Sequence, residues 1–178
     1  SGADHADLTD EYAAIPADCR AVAAVCGGDV LRSVPFETFL AHIPACRKAC
    51  GDRAVLRAFH VYADNQRVEK QVAALRAGDF DAFLALVNES GRSSWEYLQN
   101  VIPAGCTKHQ EVAVTIAAAK HLLAGEGAVR VHGGGFAGTV QAFVPLARLD
   151  AFKAGIEAII GPGRCHVLSI RPEGGAVL

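Results

Sequence analysis

A run of four glycines within six residues, placed between two segments of alternating polarity, is the feature that most restricts how this chain can fold. The run is GGGFAG at 133–138; it follows AVRVH at 128–132 and precedes TVQAFV at 139–144. Alternating polarity is typical of half-buried strands, and glycine accepts the positive φ that a tight connection requires. The pattern therefore predicts two antiparallel strands joined by a glycine-rich loop.

The remainder of the chain shows mainly helical periodicity, interrupted by glycines and prolines. Helices are predicted over 8–26, 35–50 with a break or kink at Pro44, 52–76, 80–91, 93–100, 109–123 and 149–160. Two further short strands are predicted at 29–34 and 165–171. These elements together predict one α+β domain over 1–178, in which an antiparallel sheet of about four strands packs against helices.

Composition excludes several classes of protein. The chain is 51% apolar and 20% charged, which is typical of a globular domain rather than a disordered tail or a coiled coil. A net charge of -2 with no stripe of Lys or Arg leaves no electrostatic footprint for nucleic acid or an anionic membrane. No apolar run approaches the ~18 residues of a membrane span, and the N-terminus lacks the apolar region of a signal peptide. We therefore expect a cytoplasmic protein that binds neither nucleic acid nor membrane.

The cysteines and histidines give no sign of a metal site. None of the six cysteines stands in a C-x-x-C pair, and the seven histidines are scattered along the chain. Because a zinc site requires clustered Cys and His ligands, we expect no bound metal, and we expect the thiols to be reduced.

The glycine run satisfies the pattern G-x-G-x-x-G, but its context excludes the usual interpretations of that pattern. In a dinucleotide-binding unit the pattern opens a helix, whereas here it opens a strand, and no Lys-Ser/Thr follows as in a P-loop. Two interpretations remain open: a plain hairpin, or a backbone-lined concavity that approaches a phosphate or a sugar closely. Four glycines exceed what a hairpin requires, which favours the second.

The segment RVHGGGFAGTVQAFV resembles the third signature of the GHMP kinase superfamily, which contains galactokinase, homoserine kinase, mevalonate kinase and phosphomevalonate kinase. Three further segments narrow the resemblance to the galactokinase family: EYAAIPADCRAVAAVCGGDVLRSV (11–34), RAFHVYADNQRV (57–68) and GDFDAFLALVNESGRSSWEYL (78–98). The order and spacing of all four segments follow the family from about residue 5 to the end of the chain.

The resemblance implies a C-terminal domain of the ferredoxin-like type from an ATP-dependent sugar kinase that converts galactose to galactose 1-phosphate. The family's nucleotide loop and its catalytic Asp and Arg lie in an N-terminal domain, and no counterpart of that loop occurs here. The chain also contains no Met. We therefore expect a fragment without catalytic residues, whose partners are galactose or a related sugar and the N-terminal domain, with ATP and Mg²⁺ bound mainly by that domain. The alternatives are another GHMP kinase with a different substrate and a catalytically silent sugar sensor.

The resemblance also implies a set of substrate-binding residues: Tyr12, His132, Gly133, Gly134, Gly135, Phe136 and Gly138. Plain structural roles compete with some of these assignments. Tyr12 can be a buried structural tyrosine, and His132 can be a strand histidine with a satisfied hydrogen bond. His60 and Arg67 are expected to belong to a structural polar network, while Ser90 and Ser93 fit helix capping or bonds to preceding carbonyls as well as they fit function.

Several positions depart from the family pattern. His132 stands for Thr or Ser, Ala137 for Gly, Thr139 for Cys and Gly91 for His, while Ile15 and Pro16 stand where an Arg pair is usual. These departures indicate a divergent branch and leave the identity of the sugar open.

Overall fold

Six α-helices and one β-hairpin make up the part of the chain that the computed structural model describes, residues 8–136 and 138–170. The elements are α1 (Thr9–Val25), α2 (Phe36–Cys50), α3 (Asp52–Arg76), α4 (Phe80–Ser93), α5 (Glu111–Leu123), β1 (Ala128–His132), β2 (Thr139–Phe143) and α6 (Leu149–Ile160). Short 3-10 turns at Leu31–Ser33 and Leu146–Arg148 and a π-helical turn at Ser94–Leu98 connect them. The predicted α+β class is confirmed.

The predicted hairpin is present, with the glycine run at its tip. β1 and β2 pair antiparallel, with Ala128 opposite Phe143 at one end and His132 opposite Thr139 at the other. Val129 and Val131 pack against α5 and α6, while Arg130 on the other face reaches α4. β1 is therefore covered on both faces, and the tip with its glycines is left to form a site.

The strand predicted at 29–34 is wrong. The N–H and the hydroxyl of Ser33 both donate to the carbonyl of Val30, at 3.0 and 2.8 Å, which closes a 3-10 turn. Leu31 and Val34 are both buried. Their spacing of three fits a turn, whereas residues on one face of a strand are two apart.

The strand predicted at 165–171 is also absent from residues 165–170, and Arg171 lies outside the described residues. Val167, Leu168 and Ile170 are more than half exposed, because no described strand or helix offers them a face to pack on. The sheet of the described residues therefore has two strands rather than the predicted four.

A side chain of α4 takes the place of a third strand beside β1. The amide of Asn88 accepts a hydrogen bond from the N–H of Val129 and donates one to the carbonyl of Gly127, both at 3.1 Å. These two bonds satisfy backbone groups that a neighbouring strand would otherwise satisfy. At this end, the outer edge of β1 is therefore bonded to a helix side chain and not to a third strand.

Two helices run past positions where a break was among the expectations; a kink at Pro44, the other expectation there, stays a prediction. α2 continues through Pro44, and α4 continues through Gly91 to Ser93 before it widens into the π-helical turn. Gly91 lies where α4 crosses β1. A Cβ built on it would stand 2.9 Å from Cβ of Arg130 and 3.1 Å from the carbonyl oxygen of Val129. The missing side chain allows the helix to approach the strand this closely.

The apolar core consists of two clusters. One joins α1, α2 and α3 around Phe39, with Phe59 and Tyr62 packed beside it. The other joins α5 and α6 to β1 and β2 around Val129 and Ile116. α4 lies between them and contacts both α3 and β1.

We expect Gly91→Ala to destabilise the chain and Gly155→Ala to leave its stability unchanged or raise it. At Gly91 the new methyl meets backbone and a Cβ, which cannot move independently of their elements, so we expect a loss of about 1–3 kcal/mol. At Gly155 it meets only the end of the flexible Leu122 side chain, and alanine favours the helix by up to about 1 kcal/mol. Urea unfolding of both variants measures the difference. Equal losses at the two positions would show that α4 and β1 can separate at little cost.

Candidate functional site

The glycine loop, residues 133–136 and 138, turns the chain between β1 and β2. Gly133 and Gly135 have positive φ, at 68° and 88°, and so does Phe136 at 54°. The N–H of Gly138 donates to the carbonyl of Gly135 at 2.8 Å, which closes the turn; Ala137 lies outside the described residues. A plain two-residue hairpin turn would need only two such residues, so the tip is more elaborate than a simple reversal requires.

Asn100 and Tyr12 hold the inner side of the glycine loop. The main-chain carbonyl of Asn100 accepts from the N–H of Phe136 at 2.5 Å, and its side-chain amide donates to the carbonyl of Gly134 at 3.2 Å. The Tyr12 hydroxyl donates to the carbonyl of Gly135 at 2.9 Å. The ring of Phe136 is buried edge-on against Tyr12, with ring centroids 5.3 Å apart. Both loop carbonyls are therefore bonded to protein groups on this inner side.

The opposite side of the loop presents donors. The N–H groups of Gly134 and Gly135 have no acceptor among the described residues. A Cβ built on Gly133 would meet nothing within 4 Å, so this part of the loop borders open space. When successive residues alternate between right-handed and left-handed backbone conformations, their N–H groups form a concavity that attracts anions. The arrangement can hold a phosphate or another oxyanion through its backbone.

The structure brings together most of the substrate-binding residues predicted from sequence. Tyr12, the loop glycines and Phe136 contact one another, and His132 stands at the adjoining end of β1 with an exposed side chain. The hydroxyl of Tyr12 is engaged by the loop itself, which supports a structural role for this residue. Whether Tyr12 and His132 also contact a substrate stays a prediction.

Asn100 is the site residue that the sequence did not reveal. It follows Gln99, which has a left-handed backbone with φ of 57°, after the π-helical turn. No motif marks this position, and a lone Asn before an apolar Val101 is an ordinary loop residue. Its role becomes visible only when the fold places residue 100 beneath residues 134–136.

A second polar cluster lies between α3, α4 and β1, and we call it the polar seam: His60, Asp64, Arg67, Ser90, Ser93 and Arg130. Ser90 donates to Asp64 at 2.6 Å and accepts from Arg130 at 2.7 Å, while Arg67 donates to Asp64 at 3.1 Å. The predicted structural polar network of His60 and Arg67 is confirmed. Ser90 and Ser93 bond to side chains of this seam, not to preceding carbonyls.

His60 is buried in the polar seam. Its Nδ1 lies 2.9 Å from the Ser93 hydroxyl, and its Nε2 lies 3.8 Å from Asp64. Burial is the main cause that lowers the pKa of His60; Arg67 and Arg130 act in the same direction, while Asp64 opposes them. A Ser–His–Asp set buried in this way has no room for a substrate, so we assign it to structure.

A groove elsewhere on the described residues lies apart from the glycine loop. An open groove of about 720 Å³ lies at the far end of the hairpin, lined by Phe80, Leu84, Gly127, Phe143 and Pro145 among others. Because β1 spans five residues, this groove is roughly 15 Å from the glycine loop.

The described residues contain no group of three or more His, Cys, Asp or Glu side chains placed to hold a metal ion. None of the helices described is both long and apolar enough to cross a membrane.

Comparisons with known proteins point to one kind of enzyme. No family model matches the chain. A galactokinase of Streptomyces coelicolor is 31% identical over 177 residues, which is 97% of this chain and 42% of that protein. A galactokinase of Glaesserella parasuis is 29% identical over 153 residues, 86% of this chain and 38% of that protein. The chain thus spans about two fifths of the length of the curated relatives that it matches.

A solved structure has a similar fold. Lactococcus lactis galactokinase, crystallised in complex with galactose, matches with a TM-score of 0.69 and 22% sequence identity. The match covers 90% of this chain and 40% of that chain.

We expect Gly135→Ala to cost more stability than Gly133→Ala. Both residues have positive φ, so a Cβ at either costs roughly 1–2 kcal/mol of backbone strain. At Gly135 the Cβ also collides with the main-chain carbonyl of Asn100 and stands 2.6 Å from its side-chain nitrogen. Urea unfolding of the two variants gives the difference. A Gly133 variant as damaging as the Gly135 variant would contradict the packing of the loop on Asn100.

We expect His60 to make the chain less stable at acidic pH. Its pKa is lowered in the folded state, so below the ordinary value of 6.5 the unfolded chain binds a proton that the folded chain does not. The contribution of His60 to the free energy of unfolding should therefore be constant above about pH 7, fall as the pH drops below 6.5, and level off below the folded-state pKa. His60→Gln should flatten this part of the profile, whereas His121→Gln, on the exposed side of α5, should not. Identical profiles for wild type and His60→Gln would contradict the assignment.

Proposed function

We propose that the chain, which is similar to galactokinases over nearly its whole length, corresponds to their C-terminal domain and serves in ATP-dependent phosphorylation of galactose. The observation that carries the proposal is the similarity over 97% of the chain, within which the glycine loop keeps an open row of N–H donors. The reaction would yield galactose 1-phosphate in the cytoplasm. The domain would span 1–178 and act with an N-terminal domain that supplies the nucleotide loop and the catalytic acid.

The glycine loop fits the anionic part of such a reaction. The N–H groups of Gly134 and Gly135 would hold phosphate oxygens. The N–H of Gly135 is already oriented, because it shares a peptide plane with the carbonyl of Gly134, which is bonded to Asn100. When bound, ATP with Mg²⁺ supplies the transferable phosphoryl group. Preset donors cost no reorganisation as negative charge develops, which is how backbone loops assist phosphoryl transfer.

Tyr12 and His132 would face the sugar side of the same site. Tyr12 stands behind the loop, with its ring 2.5 Å from a Cβ built on Gly134, and His132 is exposed where β1 ends. A sugar hydroxyl needs a polar group within hydrogen-bond distance, and both side chains carry one. The side chains that bond to the glycine loop, those of Tyr12 and Asn100, carry no carboxylate, so the acid that orients the hydroxyl would come from the N-terminal domain.

We expect the 178-residue chain alone to show no turnover of ATP, Mg²⁺ and galactose, while the longer protein that contains it phosphorylates galactose. The chain holds the glycine loop but no nucleotide loop to position ATP. A coupled assay of ADP release measures both, with glucose, mannose and galactosamine as alternative sugars. Turnover by the chain alone above a buffer blank would refute the proposal that an N-terminal domain supplies the nucleotide loop and the catalytic acid. A longer protein active only on another substrate would refute galactose.

Tyr12→Ala in the longer protein should raise KM for the sugar by about tenfold, the equivalent of one lost contact, and change KM for ATP much less. Tyr12→Phe keeps the ring against Gly134 and removes only the hydroxyl, so it serves as the matched control for packing. Equal changes in the two KM values would make Tyr12 purely structural.

A further inference from the structure

We propose that Asn100 is a positioning residue that fixes the direction of the N–H groups of the glycine loop. Asn100 itself touches the loop on the inner side, opposite the open donors of Gly134 and Gly135. Its effect on phosphoryl transfer rests on the proposed function. Its effect on the shape of the loop does not.

Asn100 is held on a rigid support. The buried guanidinium of Arg57 donates to the carbonyl of Leu98 at 3.1 Å and to the carboxylate of Asp18 at 2.8 Å, which ties the end of the π-helical turn to α3 and α1. The N–H of Gln99 donates to the carbonyl of Ser94 at 2.8 Å. A residue whose preceding backbone is fixed in this way can transmit that order to what it bonds.

Asn100 contacts three consecutive residues of the loop. Its amide donates to the carbonyl of Gly134, its main-chain carbonyl accepts from the N–H of Phe136, and between these bonds it leaves no room for a side chain at Gly135. Each peptide group is planar and trans, so fixing the carbonyl of Gly134 also fixes the N–H of Gly135, which lies in the same plane and points in the opposite direction. The side-chain amide of Asn100 thereby sets the direction of the Gly135 N–H, to which it is not bonded.

The side-chain oxygen of Asn100 gives independent evidence that the important part of this amide is its N–H donor. Asn100 is 2% exposed, and its Oδ1 has no hydrogen-bond partner within the described part of the chain. An unsatisfied buried acceptor destabilises a fold, and an apolar residue of similar size would avoid that cost. The cost is offset if the donor half of the same amide is required where it stands.

Two substitutions separate the donor from the rest of the residue. Asn100→Ala removes the amide but keeps the main-chain bond to Phe136. Asn100→Asp keeps the size, replaces the donor with an oxygen that repels the carbonyl of Gly134, and adds a negative charge beneath the loop. Gln99→Asn is the matched control, because residue 99 is adjacent, exposed and left-handed, a backbone conformation that Asn tolerates.

The first measurement is amide hydrogen exchange on this chain. We expect Asn100→Ala to speed exchange of the Phe136 and Gly138 amides by about tenfold or more while amides of α5 keep their wild-type rates, because the loop opens locally. Gln99→Asn should change neither set. Loop amides that exchange as in wild type would overturn the proposal. Loop and α5 amides that accelerate together would also overturn it, since they would show general destabilisation.

The second measurement is steady-state kinetics of the longer protein with ATP, Mg²⁺ and galactose. We expect Asn100→Ala to lower kcat by about tenfold while both KM values change less than about threefold, with Asn100→Asp lower still. If wild type is active and Asn100→Ala keeps its kcat, the positioning role is wrong and the proposed function stands. If wild type does not turn over galactose, the proposed function is wrong, and the exchange measurement alone decides the role of Asn100.

Discussion

The polar seam between α3, α4 and β1 is the constraint on which the rest of this structure depends. It joins two apolar clusters through charged and hydroxyl groups, of which Asp64 and Arg130 are partly buried and the others are buried. Buried charges are tolerated only when each finds a partner; removing one partner typically costs about 3–5 kcal/mol. The seam therefore fixes the relative position of α4 and β1, and with it the place where the hairpin presents its glycines.

Periodicity predicted most of the helices and the hairpin, because both depend on local patterns that repeat along the chain. The strand predicted at 29–34 failed because a short apolar segment is typical of turns as well as of strands, and the buried Leu31 and Val34 have the three-residue spacing of a turn. The strand predicted at 165–171 failed over its described residues for a different reason. A strand needs a partner, and residues 165–170 pair with neither strand of the described sheet.

Some residues of the candidate site can be predicted from local sequence patterns, whereas others are revealed only by long-range contacts. The glycines, Tyr12 and Phe136 could be predicted from sequence because a recognisable pattern carried them. Asn100 could not, because its importance comes from a contact between residues 34 positions apart. The departure at Gly91 also gains a physical reason that no motif supplied: α4 runs so close to β1 that a side chain there would strike the strand.

The left-handed backbone of Gln99 and of Phe136 has a consequence for how the hairpin tip is encoded. The two strained residues stand on either side of the same contact, and neither conformation is one that a non-glycine residue prefers in isolation. The tip is thus a shape imposed from outside by burial of the Phe136 ring and by the neighbouring chain. A synthetic peptide of residues 128–143 would carry every glycine of the loop and still lack its form. Grafting this loop onto another scaffold would require transplanting the residue 99–100 segment with it.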